Sequence, residues 1–136
     1  MPMTPRWLDT DQRFLVVELT GDGISTWDEY HAAIERAWAM VSSVPYEVIP
    51  VVAGYDYSMP HGSPMTHVQW ALRTRPRNIP FVVSIADKRF EATVLSMIAR
   101  LTQKNAMRTV TSWAEVNRLL AAEGKPTIPE DIIPQR

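Results

Sequence analysis

Phe81-Val82-Val83-Ser84-Ile85-Ala86 is the stretch on which the fold turns. Five of its six residues are apolar, most of them β-branched or aromatic, with Pro80 before and Asp87 after, the pattern of a central strand. On its carboxyl side, Asp87 can cap a helix running from Lys88 to about Lys104, with Phe90, Val94, Met97, Ile98 and Leu101 facing inward. Met107 to Val110 then predicts a short strand. Ser112 and Glu115 form a capping box for a last helix that buries Trp113, Val116, Leu119 and Leu120 and ends at Gly124.

On the amino side, Ser63-Pro64 supplies a cap and a proline at the first helical position, so a helix begins there. Met65, Val68, Ala71 and Leu72 make its inner face, and Pro76 stops it near Arg75. Gly54 to Gly62 reads as loop, and Tyr46 to Ala53 as a strand buried on both faces. Pro50 cannot donate to a ladder, so either that strand is bulged at Pro50 or one side of it is an edge there. Thr26 and Glu29 form a capping box opening a helix to about Val44, with Trp27, Tyr30, Ile34, Ala37, Trp38 and Val41 as its buried stripe. Before it, a short strand around Trp7 and Leu8 and the run Phe14 to Leu19 flank the polar link Asp9-Thr10-Asp11-Gln12, an antiparallel hairpin. The order β-β-α-β-α-β-α-β-α predicts an α/β domain: one mixed, mainly parallel sheet of about five strands with four helices. The domain spans 1–124, and the proline-rich tail 125–136 is expected to be extended.

Length and composition agree. The 136 residues suit one domain, large enough to fold without staples, and the absence of cysteine excludes disulfides, thiolate metal cages and a cysteine nucleophile. No stretch approaches the ~20 apolar residues of a membrane span, and the first twelve residues lack the apolar region of a secretory signal, so a cytoplasmic protein is expected. The formal net charge of −1 is a remainder. Residues 1–65 carry three basic and nine acidic groups, whereas residues 66–110 carry eight basic and two acidic ones. Such segregation either builds a surface for an acidic partner or anion or places opposite charges side by side in the fold. Arg73, Arg75 and Arg77 concentrate the basic character where the second helix ends, where a cation also suits the helix carboxyl terminus.

The chemistry-bearing motifs are sparse. There is no G-x-x-x-x-G-K-[ST] or G-x-G-x-x-G phosphate loop, so no nucleotide cofactor is expected. Asp56, His61 and His67 are residue types that hold zinc, but their spacing fits no metal motif, and no metal is expected. Asp56, Ser58 and His61 match the residue types of a hydrolase triad, without the G-x-S-x-G elbow that would expose the serine. Trp70 falls off the Met65-Val68-Leu72 face, so its indole either anchors an interface or packs on a neighbouring helix.

Several local matches share an order and spacing with one family. They are Arg13-Phe14-Leu15-Val16-Val17-Glu18-Leu19-Thr20-Gly21; Thr26-Trp27-Asp28-Glu29-Tyr30; Tyr55-Asp56-Tyr57-Ser58 after the central strand; Ser63-Pro64-Met65-Thr66-His67; and Ser112-Trp113-Ala114-Glu115-Val116. Over residues 4 to about 122 the chain resembles the STAS domain of anti-sigma-factor antagonists and sulfate-transporter tails. It is most similar to stand-alone bacterial proteins of that fold, often grouped with CRAL-TRIO lipid-transfer domains. The resemblance implies a regulatory, non-enzymatic module that meets a protein partner through the loop 56–63 and the second helix. The contacts it points to are Asp56, Ser58, His61, Ser63, Trp70, Arg73, Arg75 and Arg77. In the antagonists a serine or threonine at this helix start, within Asp-Ser-Ser/Thr-Gly, is phosphorylated. Ser63 occupies the place here, within Met59-Pro60-His61-Gly62-Ser63, which lacks the acid and is followed by Pro64. Alternatives are a carrier of a lipid, nucleotide or other small anion in an apolar pocket lined by Met59, Met65 and Met97, and a hydrolase at Asp56, Ser58 and His61. A homodimer is compatible with either.

Overall fold

The computed structural model describes residues 3–19, 26–54, 64–86 and 104–134. Five strands form one mixed sheet: β1 (Met3–Trp7), β2 (Phe14–Leu19), β3 (Ile49–Gly54), β4 (Val82–Ile85) and β5 (Met107–Val110). Their spatial order is their chain order, with β1 antiparallel to β2 and every later neighbour parallel. Three α-helices are described: α1 (Trp27–Ser42), α2 (Pro64–Arg73) and α3 (Trp113–Ala122). The helix expected over 88–104 lies outside the described residues, apart from a 3₁₀ turn at Lys104–Ala106.

The local signals explain the element boundaries. In the β1–β2 turn the Asp9 carboxylate accepts the Arg13 and Phe14 amides at 3.0 Å, and the Leu8 amide bonds to the Phe14 carbonyl. The first strand is therefore longer and earlier than Trp7-Leu8 suggested. The Thr26 hydroxyl accepts the Glu29 amide, and that of Ser112 accepts the Glu115 amide, each at 3.3 Å. Gly124 ends α3 with φ +72°, the left-handed conformation that glycine adopts without a Cβ penalty.

β3 accommodates Pro50 without a bulge, because one side of the strand is unpaired there: Pro50 lies opposite Leu15 of β2 but precedes the β4 ladder. Val48 donates to the Asn78 carbonyl, and Ile49 donates on the opposite side to that of Arg13. Alternation turns the nitrogen of Pro50 back toward β4, where pairing starts only at Val51↔Val83. The missing donor falls one residue before that ladder begins.

Period-2 alternation makes two cores. Leu15, Val17, Val48 and Val82 face α1 and α2, together with Ile34, Ala37, Trp38, Val41, Ala71 and Leu72. Phe14, Val16, Ile49, Val51, Val83, Ile85 and Val110 face α3 through Trp113, Val116 and Leu120. Successive parallel crossovers of one hand, stepping in one direction, put α1 and α2 on the same face. α3 follows the edge strand β5 and covers the other face.

The described part of the tail beyond Gly124 packs on the domain. Ile128 is only 2% exposed within the α3-side core, and Ile132 and Ile133 pack beside it. Asn117 clamps it: the Ile128 amide donates to Asn117 Oδ1 at 2.7 Å, and Asn117 Nδ2 donates to the Ile128 carbonyl at 2.9 Å. A 3₁₀ turn at Glu130–Ile132 follows.

Candidate functional site

The site that can be built from described residues is α2, its exit turn, and the seam it shares with α1. Asp56, Ser58, His61 and Ser63 lie outside the described residues, as do Met59 and Met97. The proposed phosphorylation at Ser63, the triad and the Asp56–His61 part of the zinc set fall there with them. Pro64 is the first residue of α2, the position the sequence assigned it.

α2 is lightly embedded. Of its ten residues only Ala71 and Leu72 are buried; Met65, Val68 and Trp70 are half-buried against the α1-side core. The buried Trp38 indole of α1 donates to the Ala71 carbonyl at 3.0 Å and fixes the carboxyl-terminal end of α2. No acidic residue occurs anywhere in 64–86.

The exit of α2 sorts the three arginines. Thr74 closes the helix, its amide and hydroxyl both donating to the Trp70 carbonyl. Arg75 turns inward: its Nη1 donates to the Leu72 carbonyl at 2.7 Å and its Nε to that of Ile79 at 3.4 Å. Its guanidinium satisfies backbone carbonyls left over where the helix stops. Arg73 and Arg77 are exposed on either side of it. Asn78 anchors this turn, its Nδ2 lying 3.0, 3.3 and 2.9 Å from the carbonyls of Val41, Val44 and Tyr46 beyond the end of α1.

Elsewhere opposite charges do meet. Arg108 of the basic segment pairs with Glu123 at 2.9 Å, lies over the Phe81 ring and donates to the Asn105 carbonyl. Lys125 pairs with Glu47 at 3.0 Å, and Arg6 with Glu18 across β1 and β2. Among the four arginines described in 66–110, Arg73 and Arg77 are the two left exposed. Among the described arginines of 66–110, Arg108 is thus neutralised at β5, whereas Arg73 and Arg77 stay exposed at the end of α2.

The seam between α1 and α2 was not foreseen. Trp27 of α1 stacks on His67 of α2, with centroids 4.1 Å apart and planes at 9°. His31 of α1 stacks on Trp70 of α2 at 3.9 Å and 23°. Between these pairs His31 Nε2 and His67 Nδ1 share a hydrogen bond of 2.8 Å. Trp70 therefore spends one ring face within the molecule, on a neighbouring helix. His67 meets His31, and among the described residues no three histidine, aspartate or glutamate side chains gather as a metal site. Burial first, and the charge on His31 second, hold the His67 imidazole below its ordinary value of 6.5. The signal was in the sequence: Trp27/His31 and His67/Trp70 are each one helical turn apart, so each helix offers a tryptophan and a histidine on one face.

Comparison with known proteins adds no template for these features: no family model, curated protein or solved structure matches the chain. No helix among the described residues is long and apolar enough to cross a membrane.

Proposed function

We propose that this domain is a non-enzymatic, STAS-type regulatory module that docks an acidic protein partner along α2 and its exit turn. The observation that carries the reading is the pair of exposed guanidinium groups, Arg73 and Arg77, at the end of a helix segment with no acid of its own. Earlier on the same helix Met65 and Val68 are half-buried. A half-buried apolar helix that ends in exposed arginines suits a partner surface that is acidic at its edge. The arrangement β-β-α-β-α-β followed by β-α, in sequential strand order, supports the resemblance on which the module reading draws.

The Arg73→Glu/Arg77→Glu double variant tests this. Both side chains are exposed, so the fold should be unchanged. Affinity capture from the native source, with recovered proteins identified by mass spectrometry, should yield an acidic partner that the double variant loses at least about tenfold, and that salt weakens for the parent chain. Recovery of the same proteins by parent and variant would exclude this surface.

A further inference from the structure

The rings of the α1–α2 seam interleave: Trp27 on His67, His67 against His31, His31 on Trp70. We propose that the His31–His67 pair is an acid-sensitive latch, which holds the amino-terminal half of α2 on α1 while at most one imidazole is charged and releases it when both are. That this movement controls docking rests on the reading of α2 given above.

The geometry limits the pair to one extra proton. A hydrogen bond of 2.8 Å between His31 Nε2 and His67 Nδ1 requires an N–H on one ring and a lone pair on the other. A neutral pair meets this, and so does a singly charged one, because an imidazolium donates to a neutral imidazole. A doubly charged pair turns two N–H groups on each other, with like charges in rings centred 5.1 Å apart. Each indole can accept one imidazolium on its face, yet neither relieves the repulsion between the two.

Among the described residues the surrounding charges do not cancel it. On α1, Asp28 and Glu35 lie about one turn to either side of His31, both exposed and screened by solvent. Glu29 and Arg36 complete the nearby charges of α1, and the Tyr30 ring meets His31 edge-on at 6.0 Å. α2 carries no charged residue before Arg73 except His67 itself. Beneath α1, the strands β1 and β2 carry Arg6 and Glu18, which pair with each other and alternate onto the far face of the sheet. His67 already disfavours its proton, through burial and then through His31.

The rest of α2 explains which end moves. Ala71 and Leu72 are buried, and the Trp38–Ala71 hydrogen bond ties the carboxyl-terminal end to α1. Toward the amino terminus, Met65, His67 and Val68 are only half-buried. Loss of the ring contacts frees that end, with the Trp38–Ala71 contact as pivot.

The experiment follows assigned imidazole nitrogens and indole N–H groups of the full chain by NMR, from about pH 8 to about pH 4.5, across the ordinary imidazole range. The hydrogen-bonded pair is expected to take up its two protons in separate steps. In the lower step the ring-current shifts between Trp27 and His67 and between Trp70 and His31 disappear, while the Trp38 indole stays protected. His31→Asn and His67→Asn should each abolish that step. Independent titration of the two imidazoles, or double protonation with the Trp27 and Trp70 shifts intact, would overturn the latch. The parent chain alone decides between these outcomes, so a variant that fails to fold does not shelter the proposal. No readout involves a partner, which keeps failure of the latch distinct from failure of the docking surface.

Discussion

Asn78 offers the sharpest test of how the exit turn of α2 is held. Its side-chain nitrogen faces three backbone carbonyls, those of Val41, Val44 and Tyr46, at 2.9 to 3.3 Å. Carbonyls only accept, so the amide must present its NH2 group and not its oxygen. In Asn78→Ala two N–H donors are lost. The site is half-buried, so water can reach part of it, and each lost bond costs about 1 kcal/mol, ~2 kcal/mol together. For a domain of this size that is a fall in Tm of roughly 6–8 °C. Asn78→Asp keeps the shape but sets a carboxylate oxygen against the same carbonyls. It should cost more, about 3–4 kcal/mol at neutral pH. It should recover partly in acid, where a protonated carboxyl can donate. Urea and thermal denaturation of the three proteins at neutral and acidic pH measure this. If Asn78→Asp is as stable at neutral pH as Asn78→Ala, the three-carbonyl anchor is wrong. Because Arg77 adjoins Asn78, Asn78→Ala should also weaken partner capture without altering any charge.

Three further outcomes follow from particular contacts. Gly124→Ala should destabilise by about 1 kcal/mol in chemical denaturation; an added Cβ would meet nothing within 4 Å, so the cost is that of φ +72° alone. Asn117→Ala removes both bonds to Ile128 and should cost ~2 kcal/mol, opening the tail beyond Gly124 to limited proteolysis before the sheet unfolds; a tail no more labile than the parent's would show that Asn117 does not hold it. The hydrogen bond from Arg108 holds the Glu123 carboxyl below its ordinary 4.5, against the opposing pull of burial, and the charges of Arg108 and Lys125 add to it. The unfolded chain then binds the proton more readily. The stabilisation is present above the ordinary carboxyl value and is lost as pH falls through and below it, so Glu123→Gln should flatten the acid limb of a Tm–pH profile.

Much of the fold was legible because it rests on short-range physics. The capping boxes at Thr26–Glu29 and Ser112–Glu115, the proline opening α2, the turn at Asp9 and the stop at Gly124 are settled within a few residues. The two-faced burial of β3 and the helical stripe of α1 follow from side-chain period. Pro50 left two solutions open, a bulge or one unpaired side, because a proline's cost depends on which neighbour its nitrogen faces, and that requires knowing where the β4 ladder begins. The burial of Ile128 was not legible because composition reports backbone stiffness, not whether a side chain finds a core to enter.

The candidate site was legible by half. From the sequence alone come the basic segment 66–110, the three arginines where the second helix ends, and a Trp70 that falls off that helix's inner face. Only the tertiary structure decided that Arg75 turns inward to backbone carbonyls, that Arg108 is neutralised by Glu123, and that Arg73 and Arg77 remain exposed. It alone joined His31 to His67, which stand 36 positions apart. Local preference acts through covalent neighbours, whereas hydrogen bonds and ion pairs depend on distances that exist only once the sheet has set α1 beside α2 and β5 beside α3.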